Sequence, residues 1–591
     1  MASSVLPRPS AGLAMGFTAL LALGCASEVR RFPLREPVWR DTDLDPVAIP
    51  CRPHPEKKDV QVCHPEPYES SFAWDGADNL LFRPTSDFFA VDPGGEAVNV
   101  NSLDEVPDSS WFVNRIGRHP MTVHDVVHGL CEGGAELDPG APDGSWVIDE
   151  GKANGANLGF RVEDPSGQRY MLKTDGDEQP ERASAATAIS ARLYHAAGWR
   201  APCDSVVYFR PSLLKLSPGL TVTDNTGTTR PLDEAELGRL LATAPKRNGL
   251  LRMSASRWLP GRALGPFRYE GTRGDDPNDV IPHQDRRDLR GARLIAAWVN
   301  HFDAREQNSM DLWMARNQDD SRSSPGVVLH YYLDFGDCLG SEWEWEGISK
   351  RLGHAYYLDI PYLVEDFLTL GIVERPWDRA RRSPEGDVFG FFSATNFDAE
   401  MWREGYPNPA FRRMTERDGA WAARILARFA PEHIGAIVDA ADFTSPVHAR
   451  FIKKVLIGRQ HLILHRYFSV VSPLADFRVE GATRVCGVDL ARRSRIFPDD
   501  RFRYRASLRT GKSLARQASP AVEPSNDGAF CVRLPHHAAE GGSADDAPDR
   551  YAILDVDNGQ AKGPARLHFY DLGPKRGFRL VGLERPEHAG P

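Results

Sequence analysis

The sequence predicts an α+β chain of several parts, and three observations carry that expectation. Short β-branched and aromatic runs punctuated by Gly and Pro fill residues 145–260. Apolar residues at three- and four-residue spacing dominate from about 340 to 472. Strand-like runs return from about 473 to the end. With 591 residues, the chain is too long for one hydrophobic core.

The chain opens on a targeting segment. Arg8 precedes the apolar run Gly12–Cys25, which is too short to span a bilayer and reads as a signal-peptide core. Gly24 directly before Cys25 resembles a bacterial lipobox, which implies lipidation of Cys25, an exported protein and a membrane anchor; secretion with cleavage nearby is the alternative. Residues 26–71 are Pro- and charge-rich and predict an extended tether. Within it Cys51 and Cys63 predict a local disulfide, with a metal knuckle using His54 and His64 as the other reading. Phe72, Trp74, Phe82, Phe88, Phe89, Trp111 and Phe112 give residues 72–144 enough apolar bulk for an ordered extension against the β-rich segment that follows. Cys131, Cys203, Cys338, Cys486 and Cys531 are scattered, and Cys338 reads as a buried or a reactive thiol.

The β-rich segment begins with Gly151, Gly155 and Gly159, spaced by four, in a loop able to bring backbone N–H groups close to phosphate oxygens. Phe160–Glu163, a turn at Asp164–Gly167 and Arg169–Lys173 predict a hairpin ending on a lysine. The Ala-rich stretch Glu181–Gly198 predicts a helix with Gly at its end. Strands follow at Val206–Phe209 and Leu250–Ser256, separated by a polar insertion at 217–249, and Arg257–Gly261 leads out.

Two short stretches hold the chemistry. An apolar helix runs out at Asn300, and Asp303 follows with Asn308 five residues later. Asp311–Ala315 and Val327–Leu333 predict a hairpin that returns the chain to Asp334-Phe335-Gly336-Asp337. Such a hairpin brings Asn308 and Asp334 to one end of the structure, as a shared magnesium requires. Phosphoryl transfer needs a carboxylate to orient the attacking hydroxyl and oxygen ligands for the metal at the phosphates. After Gly340 the chain predicts helices at Ile360–Gly371, Ala420–Phe429, Glu432–Ala441 and Ser445–Phe468, then strands from Phe502 to Leu583 that suggest a small β-sandwich.

The order Gly loop, strand Lys, Asp-x4-Asn and Asp-Phe-Gly resembles the protein-kinase-like fold, in its atypical branch of HipA-type, phosphoinositide-type and CotH-type kinases. The resemblance covers roughly residues 145–340. It implies a bilobal architecture: a β-rich N-lobe at 145–260, a helical C-lobe at 261–472, an N-terminal extension and a C-terminal all-β domain at 473–591. It implies ATP and Mg2+ (or Mn2+) as cofactors, with Gly151, Gly155, Gly159, Lys173 and Glu181 toward the nucleotide. Lys173 would grip phosphates, and Glu181 or Glu178 would pair with it. Asp303 would be the base or hydroxyl-orienting residue, while Asn308 and Asp334 would hold the metal. Arg257–Gly261 would be the hinge beside adenine.

The function this implies is phosphotransfer to an unknown hydroxyl-bearing acceptor (protein, glycan or lipid) in the cell envelope. Two other readings stand beside it. One is a catalytically silent nucleotide- or ligand-binding lipoprotein, since little ATP exists outside the cytoplasm. The other is an envelope interaction protein using its C-terminal β-domain. A net charge of −10 leaves no basic surplus for nucleic acid.

Overall fold

The computed structural model describes residues 30–53, 57, 59–63, 72–89, 94–134, 136–152, 158–223, 228–316, 325–343, 345–538 and 542–588. Cys25 and the signal segment, His54, His64 and Gly155 lie outside the described residues.

The N-terminal sheet is built from β1 (Trp146–Lys152), β2 (Gly159–Glu163) and β3 (Arg169–Lys173), followed by helix α1 (Arg182–Ala197), then β4 (Asp204–Phe209). Helix α2 (Glu234–Ala242) precedes β5 (Leu250–Arg257). These five strands are ordered β1-β2-β3-β5-β4, each pair antiparallel, and two short strands complete a seven-stranded sheet: Leu214–Leu216, parallel to β1, and Lys246–Arg247, antiparallel to β5. The β2–β3 turn forms because the Asp164 side chain accepts from Ser166 N at 2.8 Å and Gly167 supplies φ 81°.

Alternation along the strands sorts the two faces. Phe160, Val162, Tyr170, Leu172, Val207, Phe209 and Met253 point into one apolar cluster. The 217–249 insertion, polar by composition, closes this face. Asp233 caps α2 by accepting from Glu236 N at 2.9 Å, and Leu237 and Leu240 join the cluster. The opposite face receives α1, whose alanines keep it thin enough to be buried on all sides except at His195.

The chain then forms β6 (Arg262–Gly265), α3 (Arg287–Val299), β7 (Ser309–Ala315) and β8 (Gly326–Tyr332). Strands β6-β7-β8 make a three-stranded antiparallel sheet, and the predicted hairpin pairs Ser309 with Tyr332 through Ala315 with Gly326. Helices α4 (Ile360–Thr369), α5 (Glu416–Leu426), α6 (Pro431–Asp439) and α7 (Pro446–Phe468) follow. α3 packs tightly on α5 because Gly291 lacks a side chain; a Cβ there would come within 2.8 Å of the Trp421 ring. Trp298 Nε1 donates to Leu456 O at 2.8 Å, tying α3 to α7.

The remaining strands are β9 (Leu474–Glu480), β10 (Arg484–Asp489), β11 (Arg505–Thr510), β12 (Ala515–Ala518), β13 (Val522–Pro524), β14 (Ala529–Arg533), β15 (Tyr551–Asp557), β16 (Ala565–Asp571) and β17 (Phe578–Glu584). They form two antiparallel sheets, β9-β10-β14-β13 and β12-β11-β15-β16-β17. Val485, Phe530 and Val532 of the first meet Leu508, Leu554, Leu567 and Phe569 of the second in one cluster, a small two-sheet sandwich.

The N-terminal expectations need correction. The described part of the 26–71 segment is docked, not a free tether. Phe32 is buried on the sandwich, where its N–H donates to Tyr551 Oη at 2.8 Å, and Val47 and Ile49 pack on β6–β8. The 72–144 extension packs on the N-terminal sheet through Leu137 and Ala141 and on α1 through Val106, Trp111, Phe112 and Ile116, and it also reaches the helical region beyond 260. Asp104 accepts from Arg287 at 2.6 Å and from Arg585 at 3.1 Å, so one carboxylate joins α3 to the end of the chain. Cys51 and Cys63 are disulfide-bonded, as are Cys131–Cys203 and Cys486–Cys531, which the sequence left unpaired. Cys338 is a free, buried thiol. Among the described residues no helix is long and apolar enough to cross a membrane, and three disulfides are compatible with an oxidising, extracytoplasmic compartment.

Candidate active site

Between the N-terminal sheet and the β6–β8 sheet lies a cavity of about 330 Å³. Its walls come from alternate residues of the sheet face opposite the apolar cluster, including Met171, Lys173, Asp204 and Ser256. Trp258, Leu259 and Gly261, from the segment leading out of β5, close one side, and Met310, Leu312, Asn308, Leu333 and Asp334 form the other. One end is apolar and the other carries two carboxylates and an ammonium, the mixed lining that suits a small ligand with a charged tail.

Lys173 ends β3 and Asp334 follows β8, and they meet directly: Nζ lies 2.7 Å from Asp334 Oδ1. Burial favours the neutral acid at Asp334. The ammoniums of Lys173 and Lys152, with the Lys173 hydrogen bond, outweigh it and bring its carboxyl down to about 2. Asp334 takes a left-handed backbone, φ 55°, ψ 59°, sparsely populated by non-glycine residues and held here by the surrounding contacts. Arg182, the first residue of α1, fixes the loop beyond it by donating to Gly336 O at 2.5 Å and Cys338 O at 3.1 Å.

Asp303 and Asn308 sit on the loop that begins where α3 ends at Asn300, a left-handed C-cap. Asn308 Nδ2 donates to Asp303 O at 2.7 Å and to Asp303 Oδ2 at 2.8 Å. That orientation leaves the amide oxygen of Asn308 as the atom available to a cation. Leu333 N donates to Asn308 O at 2.9 Å, so the hairpin pins the two motif stretches together. Arg305 Nε stands 3.2 Å from Asp303 Oδ1, and Tyr357 Oη donates to the same oxygen at 3.5 Å. Burial pushes the Asp303 carboxyl up to about 7; Arg305 and the Asn308 hydrogen bond oppose this, and Asp337 and Asp334 add to it. Asp337 is also raised, by burial and then by Asp334, so three carboxyls share one neighbourhood.

Several expected site residues have other duties. Glu181 does not pair with Lys173. It is the residue before α1, in a left-handed conformation, and its carboxylate accepts from the Thr444 backbone N–H and hydroxyl. α1 itself contains no acid, so the helix cannot supply the partner. Gly151 belongs to strand β1, not to a loop, and its missing side chain admits Val222 and Leu232, which a Cβ would meet at 2.2 and 2.8 Å. Gly159 opens β2, and a Cβ there would come 2.0 Å from Leu172 O. Two of the three glycines thus serve sheet packing. Glu480, Cys486 and Cys531 also converge, but the two sulfurs are bonded to each other.

Other residues at the site escaped the sequence reading. Lys152, Gly159 and Lys173 form one cross-strand row, which places both ammoniums on the cavity face. Burial and the nearby Lys173 charge depress Lys152 to about 8, against the opposing pull of Asp334 and Asp337. Its signal was the register of the β1–β2–β3 meander, which the glycine spacing obscured. His301 is fully buried against Phe335 and shares a 3.1 Å hydrogen bond with Tyr194 Oη; burial brings it down to about 4, so it is neutral near pH 7. Comparison of the chain with protein-family models, with curated proteins and with solved structures found no match.

Proposed function

We propose that this chain is an ATP- and Mg2+-dependent phosphotransferase of protein-kinase-like, bilobal architecture, exported and lipid-anchored through Cys25, acting on a hydroxyl acceptor of the cell envelope. The observation that carries this reading is the Lys173–Asp334 pair at the polar end of a cavity that Asn308 also lines. The order β1-β2-β3-β5-β4 of the five longer strands, with α1 between β3 and β4, supports it as well, because an antiparallel core of this kind before a helical region is what that architecture requires.

The residues present suit the group. Asp334 is ionised at any ordinary pH, Asn308 offers an amide oxygen beside it, and hard oxygen donors of this kind are magnesium ligands. When bound, the metal would neutralise phosphate charge. Lys173 and Lys152 add positive charge on the sheet side of the same end. Asp303, held by Asn308 and Arg305, would accept a hydrogen bond from the acceptor hydroxyl and orient it in line. Met171, Leu259, Met310 and Leu312 would exclude water from the base end of the cavity.

The test is transfer of γ-labelled phosphate from ATP to envelope extracts. Asp303→Ala should lower transfer ~10²–10⁴-fold while nucleotide binding persists. Transfer unchanged by this substitution would remove Asp303 from the reaction.

A further inference from the structure

The cavity contains a carboxylate that the motifs leave out. Asp204 begins β4, is 1% exposed, and its Oδ1 has no hydrogen-bond partner. A buried acceptor left unsatisfied is costly and calls for a reason. The strand register says where it points. Lys173 pairs with Ser254 and Asp204 with Ser256 across β5, and these are alternate residues of one strand. Both side chains therefore stand on one sheet face, and both line the cavity.

Lys173 has a conflict to resolve. In this structure its ammonium is held by Asp334. If Asp334 takes a divalent cation, that anchor weakens when the ammonium must stand still against phosphate. The helix offers no replacement, since α1 lacks acids and Glu181 is committed to Thr444. Asp337 accepts from Ser341 at 3.3 Å. Among the described residues lining the cavity, Asp204 is the one acid besides Asp334.

We propose that Asp204 is a positioning residue that takes over the Lys173 ammonium when Asp334 turns to the metal. The lysine would thus be steadied from strand β4 rather than from helix α1, and its partner would change between the metal-free and metal-loaded states. This rests on the phosphotransferase reading above.

The experiment measures ATP affinity of the full chain, with and without Mg2+, for wild type, Asp204→Asn and Asp204→Glu. Asp204→Asn should weaken Mg·ATP binding roughly 10-fold or more. It should leave metal-free ATP binding unchanged, because Asp334 still holds Lys173 there. Asp204→Glu should recover part of the loss, and in a Lys173→Met background Asp204→Asn should have no further effect. A purely structural role would weaken both affinities alike. Equal affinity of wild type and Asp204→Asn in Mg2+, or equal losses with and without it, overturns the proposal. So does failure of both Asp204 variants to fold, which would make the carboxylate a fold element. If wild type itself binds no Mg·ATP, the phosphotransferase reading fails first and this proposal with it.

Discussion

The cavity face of the N-terminal sheet and the interior of the C-terminal sandwich are built from the same kind of antiparallel strand, yet they are filled differently. In the sandwich, inward positions of both sheets are apolar: Val485, Phe530, Leu508, Leu554 and Phe569 meet with no charge between them. In the N-terminal sheet one face is equally apolar, but the other carries Lys152, Lys173 and Asp204, and the last two line a cavity. Such groups are expensive to bury and contribute little net stability. Their concentration on one face, opposite Asp334, is the mark of a site.

If that contrast is right, substitutions in the two regions should fail in different ways. The largest expected effect is Phe569→Ala in the sandwich, which should cost ~3–5 kcal/mol, read as an early melting transition, while Mg·ATP affinity is retained. Loss of binding in this variant would mean the two regions are not separable. Next, Cys486→Ser with Cys531→Ser, which opens a link of sequence separation 45 between β10 and β14, should cost ~3–4 kcal/mol in denaturant titration. On the cavity face Lys152→Met should leave the melting temperature nearly unchanged and weaken Mg·ATP binding ~10-fold, measured by calorimetry.

The remaining expectation concerns pH. Burial, the leading influence, raises the Asp204 carboxyl to about 7, with the Ser256 hydrogen bond and Lys173 opposing it. A carboxyl raised in the folded state binds its proton more tightly there than in the unfolded chain. It therefore subtracts nothing at acid pH below the ordinary carboxylate value, and its penalty grows until pH passes about 7. Wild type should accordingly lose stability relative to Asp204→Asn between those limits. Parallel pH–stability curves for the two proteins would contradict this.

Much of this was legible in the sequence where local signals agreed. The β2–β3 hairpin announced itself through Asp164-Pro165-Ser166-Gly167, and β7–β8 through β-branched and aromatic residues on either side of a polar turn. Those two hairpins fix Lys173, Asn308 and Asp334, which is why their convergence was foreseeable. What depended on pairing between distant strands was hidden. Asp204 and Lys152 acquire meaning only through register with β5 and β2, and neither carries a motif of its own. Gly151 misled because a glycine needed for close packing has the same letter as one needed for a loop. Glu181 misled because position before a helix suggested a partner for Lys173, whereas the side chain turns the other way to Thr444. The docking of Phe32 onto a distant element was hidden too, since Pro- and charge-rich composition does not distinguish a strap from a tether.

The central claim is that Lys173, Asn308 and Asp334 form a metal-dependent nucleotide site. Thermal stabilisation by ATP, with and without Mg2+, tests it most directly on wild type and Asp334→Ala. At ATP a hundredfold above its dissociation constant, wild type should gain about 2.7 kcal/mol in Mg2+. Asp334→Ala should fold and lose that gain. A wild-type chain indifferent to Mg·ATP, or an Asp334→Ala chain stabilised as fully as wild type, would contradict the assignment.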